Sequence, residues 1–335
     1  MSEEIFTPDT DIPVETAKKP AKKKLPLGVR MLLGFASTLI CLCLCVSLLA
    51  TAIAVDLNLL FRDESLTQMV DCGLYPPQAS APRLSETAGD TESLISQLIY
   101  EALQKQDDED ALKFTKADVD AFVTNASISE YLTDKTVSYL QDFINGTNNT
   151  TITTGEISTL INENKALIEQ TFDVDVDEAL QNQILTYVEE NSVTDIVQTQ
   201  VIDEARNTPI AGESFKVSNL MEILSTLASP TVIMILAGID LFLLVLLFFT
   251  NRMRFGGTLI CAGIPMLLVG ALLAAPVIAA QNLLPLFLSA APREATNIAN
   301  LLLSIITPVH LAVLIAGAVL LVLGIIVKCV ARPKA

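Results

Sequence analysis

Four long stretches without charged side chains dominate the hydrophobic pattern of the chain. They cover residues 31–55, 223–251, 255–292 and 295–327, and Asp240 is the one charged residue within them. A helix needs about 20 apolar residues to cross roughly 30 Å of hydrocarbon. Because lipid offers backbone groups no other partner, each stretch is predicted to form a membrane-spanning helix.

The span boundaries follow from the lengths of these stretches. The predicted elements are a first span at 27–55, a juxtamembrane helix plus second span at 218–250, a third span at 257–280 and a fourth at 298–327. Two spans and a turn would need more than about 40 residues. The stretch before Arg293 is shorter than that, so residues 281–297 are predicted to lie along the outer interface or to re-enter the membrane shallowly.

Basic residues near the span ends predict the orientation. They are Lys18, Lys19, Lys22, Lys23, Lys24 and Arg30 before the first span, Arg252 and Arg254 between the second and third, and Lys328, Arg332 and Lys334 after the fourth. Cytoplasmic segments carry the excess of Lys and Arg. Both termini are therefore predicted to be cytoplasmic, with residues 56–228 outside the plasma membrane.

The first span has an alternative interpretation as a cleaved signal peptide. Ala52-Ile53-Ala54 resembles a cleavage site and follows a basic segment. Signal peptides, however, have apolar regions of about 7–15 residues. The stretch here is longer, so an uncleaved anchor is predicted.

The segments outside the spans differ in composition. Residues 1–25 are predicted to be a disordered cytoplasmic tail, and residues 328–335 a second, short one. The helix of the first span is predicted to continue outward as a stalk over 56–73, although this segment could instead be an interfacial helix. Residues 74–90 are rich in Pro, Ala and Ser, which is typical of a linker.

Residues 91–215 show helical periodicity throughout. Apolar positions recur every three to four residues, as in Leu94, Leu98, Ala102 or in Leu180, Ile184, Tyr187. Predicted capping boxes start helices at Thr115, Ser127 and Thr153, and Asn145-Gly146 is predicted to end one. The predicted fold class is an all-α membrane protein: four transmembrane helices, with an extracytoplasmic helical bundle inserted between the first and the second.

Charge and residue usage exclude several functions. Residues 56–228 contain 31 acidic and 9 basic residues, which excludes binding of nucleic acid through a basic surface and favours cations or basic partners. His310 is the only histidine, so the outer domain has no histidine-based catalytic or metal site. No phosphate-binding loop is present. The sequence therefore predicts a non-enzymatic protein without cofactor, catalytic or metal-binding residues.

Two short motifs leave an alternative open. Asp173-x-Asp175-x-Asp177 resembles part of a calcium loop but lacks the glycine and glutamate that such loops need, so a capped helix start is favoured. Cys41-x-Cys43-x-Cys45 could bind a metal or carry an acyl chain. Zinc-binding pairs usually have two to four intervening residues, which favours small apolar fillers.

Asp240 and His310 are the candidate functional residues within the membrane. A charge in mid-span costs roughly 2.5–3.5 kcal/mol or more. At about 1.5 Å per residue, Asp240 lies about 18 Å from Arg252, and His310 about 27 Å from Lys328. The difference of about two turns argues against a direct pair.

The expected surroundings of Asp240 contain no basic residue. At its depth the other spans are predicted to contribute Cys43, Met266 and Gly317. Asp240 could be neutral and donate to a neighbouring backbone carbonyl, which the pattern slightly favours, or it could pair with a cation from a partner subunit, which is kept as the hypothesis to test. Small residues recur along the third and fourth spans and predict close helix contact: Gly263, Gly270, Ala274, Ala312, Ala316, Gly317 and Gly324.

A resemblance covers about fifty residues of the outer segment. Leu140-Gln141-Asp142-Phe143-Ile144-Asn145-Gly146, Ile152-Thr153-Thr154-Gly155-Glu156-Ile157 and Glu163-Asn164-Lys165 carry it. In these residues the chain resembles uncharacterised multi-pass membrane proteins of clostridia-like Firmicutes, which implies no activity. The layout of four spans with a large outer domain after the first is similar to FtsX- and MacB-type permease subunits.

These observations predict a cell-envelope membrane protein. Its outer helical domain would bind a protein partner or a second copy of the chain, while the bundle anchors it in the lipid bilayer or relays a signal. The alternative is an FtsX/MacB-like permease or mechanotransmission subunit that works with a separate cytoplasmic ATPase.

Overall fold

The computed structural model describes residues 27–75, 96, 100, 115–190, 193–210, 215–287 and 293–330. These residues are mostly helical and form no β-strand. The predicted tail 1–25 and nearly all of the predicted linker 74–90 lie outside them. The helices are α1 (Leu27–Leu60), α2 (Asp63–Leu74), α3 (Lys116–Val123), α4 (Ala126–Asn145), α5 (Thr154–Glu163), α6 (Lys165–Phe172), α7 (Glu178–Glu190), α8 (Val193–Ile196), a π-helix (Val197–Ile202), α9 (Asp203–Asn207), α10 (Val217–Ala228), α11 (Pro230–Thr250), α12 (Phe255–Phe287) and α13 (Arg293–Val330).

Four of these helices are long and apolar enough to cross a membrane, which confirms the predicted number. They are Met31–Leu60, Pro230–Thr250, Phe255–Leu283 and Thr296–Val330. The shortest begins sharply because Pro230 occupies its first turn, where a missing N–H costs nothing, and the Ser229 side chain caps it. By helix length and composition the chain is thus an all-α membrane protein.

The helix of the third span continues beyond residue 280. α12 runs through Gln281 to Phe287, and α13 begins at Arg293, so much of the segment 281–297 is helical and extends the two neighbouring span helices. Proline did not interrupt it, since Pro265 and Pro276 lie within α12. Prolines are tolerated in membrane helices that pack along a neighbour. Here the neighbour is α13, and the Gln281 side chain donates to Thr307 of that helix at 3.0 Å.

Glycines bring α12 and α13 into backbone contact. Gly263 and Gly270 of α12 face Leu321 and Leu314 of α13, and a Cβ at either glycine would come within 2.7 Å of the opposite backbone. Gly317 faces the backbone of Leu267 just as closely. The seven-residue spacing keeps these glycines on one helix face. The prediction of close contact from small residues is confirmed here.

The stalk predicted as one helix over 56–73 is divided. α1 ends at Leu60, Arg62 has extended backbone angles (φ −71°, ψ 147°), and α2 begins at Asp63. The bend lets Leu66 and Val70 of α2 pack against α4 in an apolar cluster. Burying such a side chain contributes about 1.5–3 kcal/mol, which outweighs the backbone hydrogen bonds lost at the break.

Helix ends in the segment between the first and second spans follow local sequence signals, with one exception. Thr115 and Thr153 form the predicted capping boxes, and Gly146 ends α4 in a left-handed conformation (φ 69°). The predicted box at Ser127 is wrong. Asn125 caps α4 instead, and its side chain accepts from the Ser127 N–H. An Asn cap is as favourable as a Ser cap, so the helix starts two residues earlier than predicted.

Asp142 organises the loop that joins α4 to α5. Its buried carboxylate accepts hydrogen bonds from the Thr147 hydroxyl and from the backbone N–H groups of Asn149 and Thr150. Burial alone would raise the pKa of Asp142, but these hydrogen bonds outweigh it and hold the pKa below its ordinary value. Arg206 clamps the same loop by donating to the Asp142 and Thr147 carbonyls.

Replacing Asp142 with asparagine should lower the free energy of unfolding by about 1–3 kcal/mol, because an amide NH₂ would face donors. The wild-type protein should also lose stability in acid. The folded-state pKa is depressed, so the contribution of Asp142 is present above its ordinary pKa and is lost as the pH falls through the folded value. Thermal melts of the full chain at neutral and acid pH measure both. Asp134→Asn removes an exposed carboxylate as a control, and equal melting temperatures for the two variants would contradict the assignment.

Candidate functional site within the membrane bundle

Asp240 lies on the buried face of α11. Asp240 is 8% exposed, whereas its neighbours Leu241 and Phe242 are 64% and 62% exposed and lie on the outward surface of the bundle. Leu247, two turns further along α11, is also buried. Positions seven residues apart share a helix face, and this face packs against α1. Asp240 therefore points into the bundle.

Thr51 of α1 is the hydrogen-bond partner of Asp240. Its hydroxyl oxygen lies 2.8 Å from Oδ2 of Asp240 and 2.9 Å from the carbonyl oxygen of Ser47, one turn earlier in α1. The other carboxyl oxygen, Oδ1, is buried without a partner among the described residues, as is the Ser47 hydroxyl. The ion pairs found in the described residues do not include Asp240.

His310 of α13 pairs with a different carboxylate. Its Nε2 lies 2.6 Å from Oδ2 of Asp56 in α1, and the two side chains are only 5% and 13% exposed. Nδ1 of His310 and Oδ1 of Asp56 are buried without partners among the described residues. Asp56 is five residues beyond Thr51, so the two polar pairs are separated by about 7.5 Å along α1.

The structure brings Asp240 and His310 to two different sites on α1 instead of to each other. The absence of a direct pair agrees with their predicted depths. The neighbour predicted on α1, Cys43, was wrong, because Thr51 lies eight residues, or about 12 Å, beyond Cys43. The span in α1 has 30 residues and that in α11 has 21. Residues counted from the inner ends of such unequal helices do not share a depth.

Asp56 and Thr51 were missed by the sequence analysis. Asp56 was assigned to the stalk because it directly follows the first uncharged stretch. One signal could have found Asp56. His310 lies about 27 Å from Lys328 along its helix, which is close to the full thickness of the hydrocarbon layer. His310 is therefore expected at the same depth as the C-terminal end of the first span, where Asp56 lies. A threonine in a membrane helix carries no such signal, because its hydroxyl usually bonds to its own helix.

The segment between the first and second spans contains an acidic cleft between α4 and α5. The cleft has a volume of about 670 Å³ and is lined by Glu130, Asp134, Glu163 and the Lys135–Glu156 ion pair, among others. Lys135 lies 2.6 Å from Glu156 and lowers the pKa of that carboxyl. The positive charge of Lys135 is thereby balanced by Glu156. The exposed carboxylates of the three other acidic residues leave the cleft negatively charged.

The structure shows the surroundings of the two motifs that the sequence left open, the aspartates at 173–177 and the cysteines at 41–45. Asp177 caps α7 by accepting from the Leu180 N–H at 2.8 Å, as in a capped helix start. Cys43 is exposed towards lipid, while the Cys41 thiol donates to the Cys261 carbonyl. Within the described part of the chain, no group of three His, Cys, Asp or Glu side chains is arranged to hold a metal ion.

The fold and these sites define a class of protein, a four-span helical membrane protein with polar pairs inside its bundle. Comparison of the chain with protein-family models, curated proteins and solved structures gives no match. The functional argument therefore rests on the geometry of the described residues.

Proposed function

We propose that this protein is a non-enzymatic envelope protein of the plasma membrane whose outer helical domain binds a basic protein partner and whose bundle relays that binding. Both termini would be cytoplasmic and residues 56–228 outside, as the basic residues at the span ends favour. The observation that carries the proposal is a continuous path of packed contacts from the acidic cleft into the spans.

The first part of this path runs through α4. The same helix provides Glu130 and Asp134 of the cleft in its first half and Val137 and Ile144 of the apolar cluster in its second half. That cluster joins α4 to α2 of the stalk. A displacement of α4 by a bound partner would therefore displace α2, because packed apolar surfaces move together rather than deform.

The second part of the path connects the stalk to the spans. Gly73 of α2 lies against Ile298 of α13, and α13 is tied to α1 by the His310–Asp56 pair. A parallel connection uses Asn58 of α1, whose side chain donates to the Ala228 carbonyl at the end of α10 at 2.8 Å. Ala228 directly precedes Ser229, the cap of α11, so α1 also holds the start of the second span.

The chemistry of the cleft supports a basic partner. The exposed carboxylates of Glu130, Asp134 and Glu163 line the cleft beside the Lys135–Glu156 ion pair. Within the described residues, the Glu130 and Glu163 side chains make no hydrogen bond. Charge complementarity of this kind steers association and determines which partners are accepted. An anionic partner would be repelled.

Capture of partners with a membrane-impermeant crosslinker on intact cells tests the proposal. The wild type should yield a basic protein, and the triple variant Glu130→Gln, Asp134→Asn, Glu163→Gln should lose at least about tenfold of it, because each rim charge acts on association. Glu189→Gln with Glu190→Gln removes exposed charges from α7 as the control. The same partner at the same yield in the triple variant, or no crosslinking from outside, would contradict the proposal.

The alternative, a permease-like subunit, would use the same coupling path in the opposite direction, from a cytoplasmic ATPase to the outer domain. It predicts that an ATPase co-purifies with the wild-type protein from its native membrane. Recovery of an ATPase with both the wild type and the triple variant would favour this alternative over a binding protein without enzymatic partners.

A further inference from the structure

The hydroxyl group of Thr51 lies within hydrogen-bond distance of two acceptors but has one hydrogen to donate. The acceptors are Oδ2 of Asp240 at 2.8 Å and the Ser47 carbonyl oxygen at 2.9 Å. Threonine within a helix commonly donates to the carbonyl four residues earlier. If the Thr51 hydrogen points to Ser47, the hydrogen between Thr51 and Asp240 must belong to the carboxyl group of Asp240.

The opposite arrangement is unfavourable. A Thr51 hydroxyl that donates to Asp240 would leave an anion with one neutral donor on Oδ2 and none on Oδ1, which is buried and without a partner in the described residues. An unpaired charge in hydrocarbon is among the most expensive groups a span can contain. A protonated carboxyl makes the same hydrogen bond without that charge.

The helices packed against α11 supply no compensating cation. They are α1, α10 and α12. The ionisable side chains nearest to Thr51 in α1 are Cys45 and Asp56, those of α10 and α12 are Glu222 and Cys261, and none of these is a cation. Asp56 is engaged by His310. Arg252 and Arg254 follow the inner end of α11, at least about 18 Å away along the helix.

We propose that Asp240, Thr51 and the Ser47 carbonyl form a proton-binding site inside the membrane, in which the bound proton joins α11 to α1. Its release would leave a charge that the closed bundle does not solvate, so α1 and α11 must separate or admit water when it leaves. The site is independent of the partner-binding function proposed for the outer domain.

Infrared difference spectroscopy of the full-length protein in lipid vesicles tests this proposal. A protonated carboxyl has a carbonyl band that a carboxylate lacks. The band should be present in the wild type, lost in Asp240→Asn and kept in Glu222→Gln, which removes an exposed carboxylate outside the spans. Loss of a carboxylate band in Asp240→Asn, with the acid band unchanged, would overturn the proposal.

Two further arms define the site. Thr51→Val should move the acid band of Asp240 to higher frequency because its hydrogen bond is lost, and an unmoved band would remove Thr51 from the site. Replacing choline with sodium at equal ionic strength should leave the wild-type band unchanged. Its loss in sodium would show that the oxygens take up a metal cation instead of a proton.

The protonation of Asp240 can also be tested in the wild-type protein alone, with a carbodiimide that reacts only with protonated carboxyl groups. Peptide mass spectrometry of the labelled wild-type protein should find the adduct on Asp240 and not on the exposed Glu222. An adduct on Glu222 with none on Asp240 would overturn the proposal.

Discussion

The substitution Gly317→Val should push α12 and α13 apart and lower the free energy of unfolding by about 3 kcal/mol or more. A Cβ built on Gly317 would meet the backbone nitrogen of Leu267 at less than a van der Waals distance, with the Leu267 Cα only 2.8 Å away. The obstacle is the backbone of a neighbouring helix, which cannot change rotamer. The helices must therefore separate along the whole contact, and the dispersion energy of a close glycine interface is lost with it.

The measurement is unfolding of the full-length protein in mixed micelles, followed by circular dichroism. Gly238→Val provides a matched control, because Gly238 also lies within a membrane span but has nothing within 4 Å of its Cβ position. The two substitutions change helix propensity equally and differ only in helix contact. Equal losses of stability at both positions would show that contact between α12 and α13 is not the cause.

Removing one partner of the His310–Asp56 pair should be at least as damaging. Each single substitution, His310→Leu or Asp56→Leu, should cost about 3–5 kcal/mol, because it leaves the other polar group buried and uncompensated. The pair lies at 2.6 Å and is almost fully buried, so solvent cannot replace the missing partner. The double variant should lose much less than the sum, since an apolar pair of similar volume packs without an orphaned group.

A double-mutant cycle on unfolding free energies measures this interaction directly, with an expected coupling of about 3 kcal/mol, at the upper end of the range for residues in contact. The exposed Lys165–Glu169 pair, at 3.5 Å in α6, is the comparison. Its coupling should be about 0.3–0.5 kcal/mol, because solvent screens it. Additive losses at His310 and Asp56 would mean that the two residues stabilise the protein separately, and the contact between α1 and α13 would then not couple the stalk to the spans.

Sequence was sufficient for most features that depend on neighbours within a few residues, although the cap of α4 is Asn125 and not the predicted Ser127. The four spans were predictable because hydrocarbon requires a long uncharged stretch, which composition alone reveals. The capping boxes at Thr115 and Thr153 were predictable because a cap involves residues three positions apart. The glycine contacts were partly predictable, since a seven-residue spacing marks a helix face but does not name the helix that it meets.

Tertiary structure alone decided the polar pairs and the stalk. Asp56 and His310 are 254 positions apart, and Thr51 and Asp240 are 189 positions apart. Which residues meet across such distances depends on how far each helix extends beyond the bilayer and on its tilt, which packing against neighbouring helices sets. The break after Leu60 has the same origin. No breaker residue stands there, and the helix ends because Leu66 and Val70 gain a buried apolar surface on α4 that a straight helix would not reach.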